Sequence, residues 1–377
     1  MSLRKRVALY ARIEAHRRHP LIVYVTSKRS GCYSAMSSDT LPYLIRQLDA
    51  LPPKTEHIDF LIASYGGDPM VAWRIITLLR QRVQKVSVLI PQSAYSAATL
   101  VALGANEIFM HPNGHLGPVD MQIAMTGDGG QSKTFSTEDI SAFLDFVKDN
   151  LKITDQEHIR ALFEITCREV GSLGIGFSAR SSKLAVDLGE RLLALHMKDD
   201  ENRSRLRTIV KNMSRKFQSH AYPVNREEAK ELGLAVNARN DPKLEKMMWD
   251  TWLDIEEDLM ENVPFNPISE LMDSPEATKL LAPVPQLDIP LCAKASADFH
   301  TTLADVVATA TTKINPVDFE VKDAIVESSR AAYAHVNKGK ILSHRTPDLV
   351  IRYHMIIKSS LWEDVQVPPA RKERKTS

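Results

Sequence analysis

Short apolar runs at residues 21–25, 58–63, 86–90 and 107–110 predict four buried strands. Between them the period changes. Residues 38–51 place Leu41, Leu44, Ile45 and Leu48 on one helical face. A second helix begins after Asp68, an N-cap residue followed by Pro69 at the first helical position. A third, short helix covers residues 96–103 and is closed by Gly104. Alternation of strand and helix predicts an α/β domain with a largely parallel sheet.

From residue 137 the pattern turns helical, with amphipathic stretches at 140–151, 157–170, 183–197 and 226–232. A strand-like 234–236 follows, and the Asn240-Asp241-Pro242 break places a domain boundary between 1–240 and 241–377. The second part reads as a helix at 242–263, a connector at 264–292 broken by six prolines, and helices at 296–312 and 318–337. Trp249 and Trp252 share a face of the first of these and read as packing residues. The basic tail at 371–375 reads as frayed.

Composition narrows the class. The 377 residues carry 48 Lys+Arg against 47 Asp+Glu, and a net charge of +1 does not suit a nucleic-acid binder. The three cysteines, Cys32, Cys167 and Cys292, are far apart and form no metal-ligand spacing, which suits a reducing compartment. No apolar run approaches the roughly 20 residues of a membrane helix. The expectation is a soluble, cytoplasmic protein with no metal, nucleotide or other cofactor, since neither GxxxxGK[ST], HExxH nor a strand-linked GxGxxG occurs.

Two loops carry candidate chemistry. In Ser64-Tyr65-Gly66-Gly67-Asp68-Pro69 a strand ends in paired glycines, which let backbone amides approach a ligand. The plain alternative is a strand–helix turn. In Pro91-Gln92-Ser93-Ala94-Tyr95-Ser96-Ala97-Ala98-Thr99 a strand gives way to a helix at a serine among small residues. This is the logic of a nucleophile elbow, with amides free to hold an oxyanion; the alternative is that Ser96 only caps the helix. Both loops fall at the carboxyl edge of the predicted sheet, where α/β folds place their sites.

The order of these pieces resembles the Clp-protease/crotonase superfamily, and within it the serine dehydrogenase proteinase family (SDH_sah), related to the Clp peptidase subunit and signal peptide peptidase A. The resemblance runs over about residues 20–238. It rests on Gly66-Gly67, Ser96-Ala97-Ala98-Thr99-Leu100, Ala105-Asn106-Glu107-Ile108-Phe109-Met110 and the stretch from His111 to Gln122. His220-Ala221-Tyr222-Pro223-Val224 and Glu228-Ala229-Lys230-Glu231-Leu232-Gly233-Leu234 complete it.

The resemblance implies a crotonase-like ββα spiral core with a mostly helical C-terminal extension. It implies Ser96 as nucleophile, Gly67 and Ala97 amides as oxyanion hole, and Gly66 and Asp68 in a substrate loop. The family's order Ser, Asp, His maps onto Ser96, Asp120 and His220; the signal-peptide-peptidase alternative is Lys148 as base. The implied activity is a serine peptidase acting on peptides or proteins as a homo-oligomer, with helices 140–151 and 157–170 as contacts. The alternatives are an inactive scaffold of the same fold and a crotonase-type acyl-CoA enzyme.

Overall fold

The computed structural model describes residues 3–119, 122–126, 132–197, 203–215, 217, 219, 221–237, 240–283 and 311–367. In chain order it runs α1 (Leu3–Arg17), β1 (Leu21–Thr26), α2 (Leu41–Asp49), β2 (His57–Ala63), α3 (Pro69–Arg82), β3 (Lys85–Ile90), β4 (Ser93–Ala94), α4 (Ala97–Leu103), β5 (Glu107–Met110) and β6 (His115–Leu116). A hairpin of β7 (Gln122–Thr126) and β8 (Ser132–Ser136) leads into α5 (Thr137–Asp145), a π-helical turn Phe146–Asn150, α6 (Gln156–Val170), α7 (Ser172–Ala194), α8 (Arg203–Arg215) and α9 (Arg226–Glu231). The chain continues through α10 (Pro242–Asp258), α11 (Pro267–Met272), α12 (Ala277–Leu281), β9 (Thr312–Lys313), β10 (Val317–Glu327), β11 (Ala332–Arg345) and β12 (Ile351–Val365).

The main sheet has the order β12-β11-β10-β1-β2-β3-β5, with β9 on β11. Strands β1, β2, β3 and β5 are parallel, as the strand–helix alternation predicts. One face packs on α2, α3, α4, α7 and α8 through Leu44, Ile75, Val101, Leu192 and Val210. The other is covered by α1 and α10 through Tyr10, Ile13, Met248, Trp252 and Ile255.

The C-terminal region corrects the sequence reading. Residues 318–337 are not helical. They belong to β10 and β11, and β10 pairs antiparallel with β1, so segments on both sides of residue 240 share one sheet. The first half of β10 follows a period of two, with Phe319 and Val321 buried, and past a bulge between Lys322 and Ala324 both faces are buried. The alanine-rich start of β11 favours helix locally, and sheet pairing overrides it. The helix expected at 296–312 falls, up to residue 310, outside the described residues, as does the 371–375 tail.

A buried ion network staples α1 to α10 and β10. Arg6 donates from Nε and Nη2 to the two carboxylate oxygens of Glu327 at 2.7 Å, and from Nη1 to Asp254 at 3.2 Å. Tyr10 donates to Glu327, and Asp258 accepts from both Arg6 and Lys322. Burial pushes the Asp258 carboxyl up, but Arg6 and Lys322 outweigh it and hold it below its ordinary value. A carboxyl lowered in the folded state stabilises above its unfolded value, and that contribution is lost as pH falls through the folded one. Arg6→Met is expected to cost about 3–5 kcal/mol, because Glu327 and Asp254 stay buried without their cation. Urea midpoints at neutral pH check this. The wild type's Asp258 contribution is expected to fade below about pH 4.

Candidate active site

The carboxyl ends of β2 and β3 bring the two loops together. The amide of Ser64 donates to Ser93 O at 2.9 Å, and the amide of Tyr95 donates to Ser64 O at 2.9 Å. Ser64 Oγ shares a 2.7 Å hydrogen bond with Thr26 Oγ1 and accepts from the Gly66 amide at 3.0 Å. The loop after β1 forms the outer wall: the amide of Met36 donates to Gly66 O, and the amide of Asp68 donates to Met36 O. Asp68 caps α3 by accepting from the Met70 amide at 2.8 Å, with Pro69 in the first turn.

Ser96 sits at the head of α4 with φ 52° and ψ −116°. A side chain at positive φ with that ψ is sterically strained, and such strain persists only where the surroundings impose it. The Ser96 hydroxyl makes no capping bond to α4. Helix capping is therefore not what this side chain does. Ser96 is half-buried, and its turn is held by Thr99, whose hydroxyl donates to Ala94 O at 2.7 Å and Gly117 O at 2.9 Å.

The paired glycines are required by close approach. Gly66 has φ 96°, and a Cβ there would lie 2.9 Å from both Ala97 N and Ser96 Cβ. Gly67 has φ 151°, and a Cβ there would lie 2.5 Å from Met36 N and 2.9 Å from Met36 Cα. The amide of Ala97 opens α4, where helices leave N–H groups without an internal acceptor. Among the described residues, neither it nor the Gly67 amide has a hydrogen-bond acceptor.

Aromatic rings line this corner. Tyr65 meets Tyr95 edge-on at 5.1 Å and Tyr33 at 6.4 Å, and His115 lies 6.1 Å from Tyr95. Burial, reinforced by Tyr65, pushes the Tyr95 hydroxyl up to about 12. Burial and the nearby Lys28 push the His115 imidazole below its ordinary value, so it is neutral at neutral pH. In the sequence His115 stands only within the matching stretch from His111 to Gln122. Its signal is pairing: β6 lies parallel to β4, with His115 opposite Ser93.

Of the expected bases, Asp120 and His220 lie outside the described residues. Their described flanks are tied together. Leu116 and Val224 form an antiparallel bridge, exchanging hydrogen bonds of 3.0 and 2.9 Å. The amide of Val119 donates to Met213 O, and Ser214 Oγ donates to Val119 O at 2.9 Å. Lys148 is exposed on the π-helical turn, where Val147 is the buried residue. A lysine acting as base requires burial.

Comparison with known proteins agrees with the residue-level resemblance. Residues 31–142 match the family described as ClpP-like SDH-type serine proteinase, so the resemblance and the Clp-like α/β core expected from it are borne out. Two uncharacterized proteins of Methanocaldococcus jannaschii are similar to the chain. One is 28% identical over 198 residues, covering 52% of this chain and 58% of its own length. The other is 26% identical over 205 residues, covering 54% and 62%. The matched region thus spans less than two thirds of either relative. Among solved structures, a membrane-bound stomatin-specific protease, 1510-N, determined as a Ser-to-Ala mutant, aligns with TM-score 0.35 and 18% identity over 60% of this chain and 84% of its own. Among the described residues no helix is long and apolar enough to cross a membrane.

Proposed function

We propose that the protein is a serine peptidase that cleaves peptide bonds through an acyl-enzyme on Ser96. The observation that carries this is the strained Ser96 backbone, which presents a hydroxyl that does not cap its helix. The amides of Gly67 and Ala97 on the adjoining turns, which have no acceptor among the described residues, add the second requirement. In the reaction Ser96 Oγ attacks the scissile carbonyl carbon and gives its proton to the base. The carbonyl oxygen becomes an oxyanion, accepting from the Gly67 and Ala97 amides. The base then returns the proton to the leaving amine as the C–N bond breaks. Water repeats the sequence on the acyl-enzyme and releases the acid. An inactive scaffold has no use for a strained serine, and a crotonase-type enzyme would leave its hydroxyl idle.

For the base we favour His220 oriented by Asp120, supported by the Leu116–Val224 and Val119–Met213 ties that join their flanks. His220→Ala is expected to lower kcat on a peptide substrate by about 10³-fold or more. Lys148→Ala is expected to stay within about twofold, since exposed substitutions remote from chemistry have small effects. A loss with Lys148→Ala and none with His220→Ala would reverse the assignment. Digestion of a peptide library by wild type and Ser96→Ala tests the reading as a whole: products that persist in Ser96→Ala would sink it.

Self-association belongs to the same proposal. The 15 residues of α6 include none that is buried, and an isolated helix of that length is marginal in water. Phe163 and Ile165 of α6 and Leu173 and Phe177 of α7 are exposed. A second copy covering this face would bury them. Phe163→Glu with Leu173→Glu is expected to reduce the light-scattering mass to that of one chain. An unchanged mass would show that these residues are not the contact. A cytoplasmic location fits the free Cys32 and Cys167.

A further inference from the structure

We infer that Lys28 makes the Ser96 site select peptide segments carrying carboxylates next to the cleaved bond. The inference rests on the peptidase reading and names its substrate class. Lys28 follows β1 at the same carboxyl edge as the two loops. Its ammonium lies 6.0 Å from the Tyr65 ring centre and 5.4 Å from that of Trp252. Tyr65 immediately precedes Gly66 and touches Tyr95, the neighbour of Ser96. Lys28 is also close enough to act on His115, the neighbour of Tyr95, so a peptide running along the Gly66-Gly67 turn would run near this cation.

The surroundings leave the charge in place. Glu261 is the nearby acid, and its carboxylate is taken by the backbone amide of Lys28 at 3.0 and 3.2 Å. Burial pushes the Glu261 carboxyl up, while the Ser27 hydroxyl, the Lys28 amide and the Lys28 charge pull it back down. Asp323 is occupied by His335 and Asn337. Among the described residues no carboxylate forms an ion pair with the Lys28 ammonium. Tyr33, Tyr65 and Tyr95 all have raised values and are neutral, and His115 is neutral as well. Arg29 is buried and turned to the Val263 carbonyl and the Phe265 ring, so the cation at this edge is Lys28. A half-buried cation over apolar rings acts through a lower dielectric than a fully solvated one, so it discriminates more strongly between signs of charge.

The test uses two peptides of one sequence, with Glu or with Lys flanking the scissile bond. For the wild type, kcat/KM is expected to favour the Glu peptide by about tenfold, on the scale of a partly screened ion pair. Lys28→Met keeps the apolar stem over the rings and is expected to bring the ratio near one. Lys28→Glu is expected to reverse it. An unchanged preference in Lys28→Glu overturns the inference. Fluorescence anisotropy of both peptides on Ser96→Ala protein gives a second reading that needs no turnover. There the same order of affinities is expected, and its inversion is expected with Lys28→Glu on that background. Equal affinities would overturn the Lys28 role even where Ser96 is reactive. An unreactive Ser96 with charge-selective binding would sink the peptidase reading and leave the Lys28 site standing.

Discussion

Ser96→Gly is expected to be inactive and yet more stable than the wild type. Ser96 holds φ 52° and ψ −116°, a region that side chains other than glycine occupy at a cost of roughly 1–3 kcal/mol. Glycine removes that cost and loses roughly 0.5–1 kcal/mol through its freer unfolded chain. The net gain is about 1 kcal/mol, read as a higher urea midpoint with unchanged slope. Peptide cleavage is expected to fall by about 10³-fold or more in the same protein, as loss of a nucleophile does. A destabilised Ser96→Gly would mean that the serine side chain is structural.

The second large effect is expected at Gly67→Ala. The new Cβ would lie 2.5 Å from Met36 N and 2.9 Å from Met36 Cα, and closer still to the Met36 carbonyl oxygen. These are backbone atoms, so no rotamer change relieves the clash. The turn must move away from Met36, opening the pair of bonds that link Met36 to Gly66 and Asp68. The Gly67 amide moves with it. Loss of one oxyanion donor costs about 10²–10³ in kcat, so a fall of at least 100-fold is expected. Overpacking at a tight site adds a loss of about 1–3 kcal/mol in stability. Near-normal kcat would remove Gly67 from the oxyanion hole, whatever the stability.

Local signals made the two loops of the candidate site readable. Gly66-Gly67 and Ser96 each stand beside the apolar run that becomes their strand, and Asp68-Pro69 announces α3 as an N-cap pair. Parallel strands put both turns at one edge without any knowledge of distant residues. The unusual backbone at Ser96 was not readable, because the flanking alanines fit an ordinary helix start equally well. His115 was missed for a different reason: its place depends on β6 lying against β4, a pairing of two-residue strands with no periodic pattern.

The C-terminal sheet shows the complementary failure. Ala331-Ala332-Tyr333-Ala334 favours helix by composition, and only pairing with β10 and β12 makes β11 a strand. Helix α1 precedes the first apolar run and has no clear local pattern, though Tyr10 and Ile13 bury one of its faces and Arg6 anchors it. Arg6 finds its partners 248 or more residues away, so nothing in the local sequence reveals the network.

The turn at Ser96 is expected to make an activated serine. Intact mass after exposure to a fluorophosphonate, on wild type and Ser96→Ala in parallel, tests it most directly. One covalent adduct on the wild type and none on Ser96→Ala is the predicted result. Equal labelling of both proteins, or a wild type that neither labels nor digests a peptide library, would contradict the account.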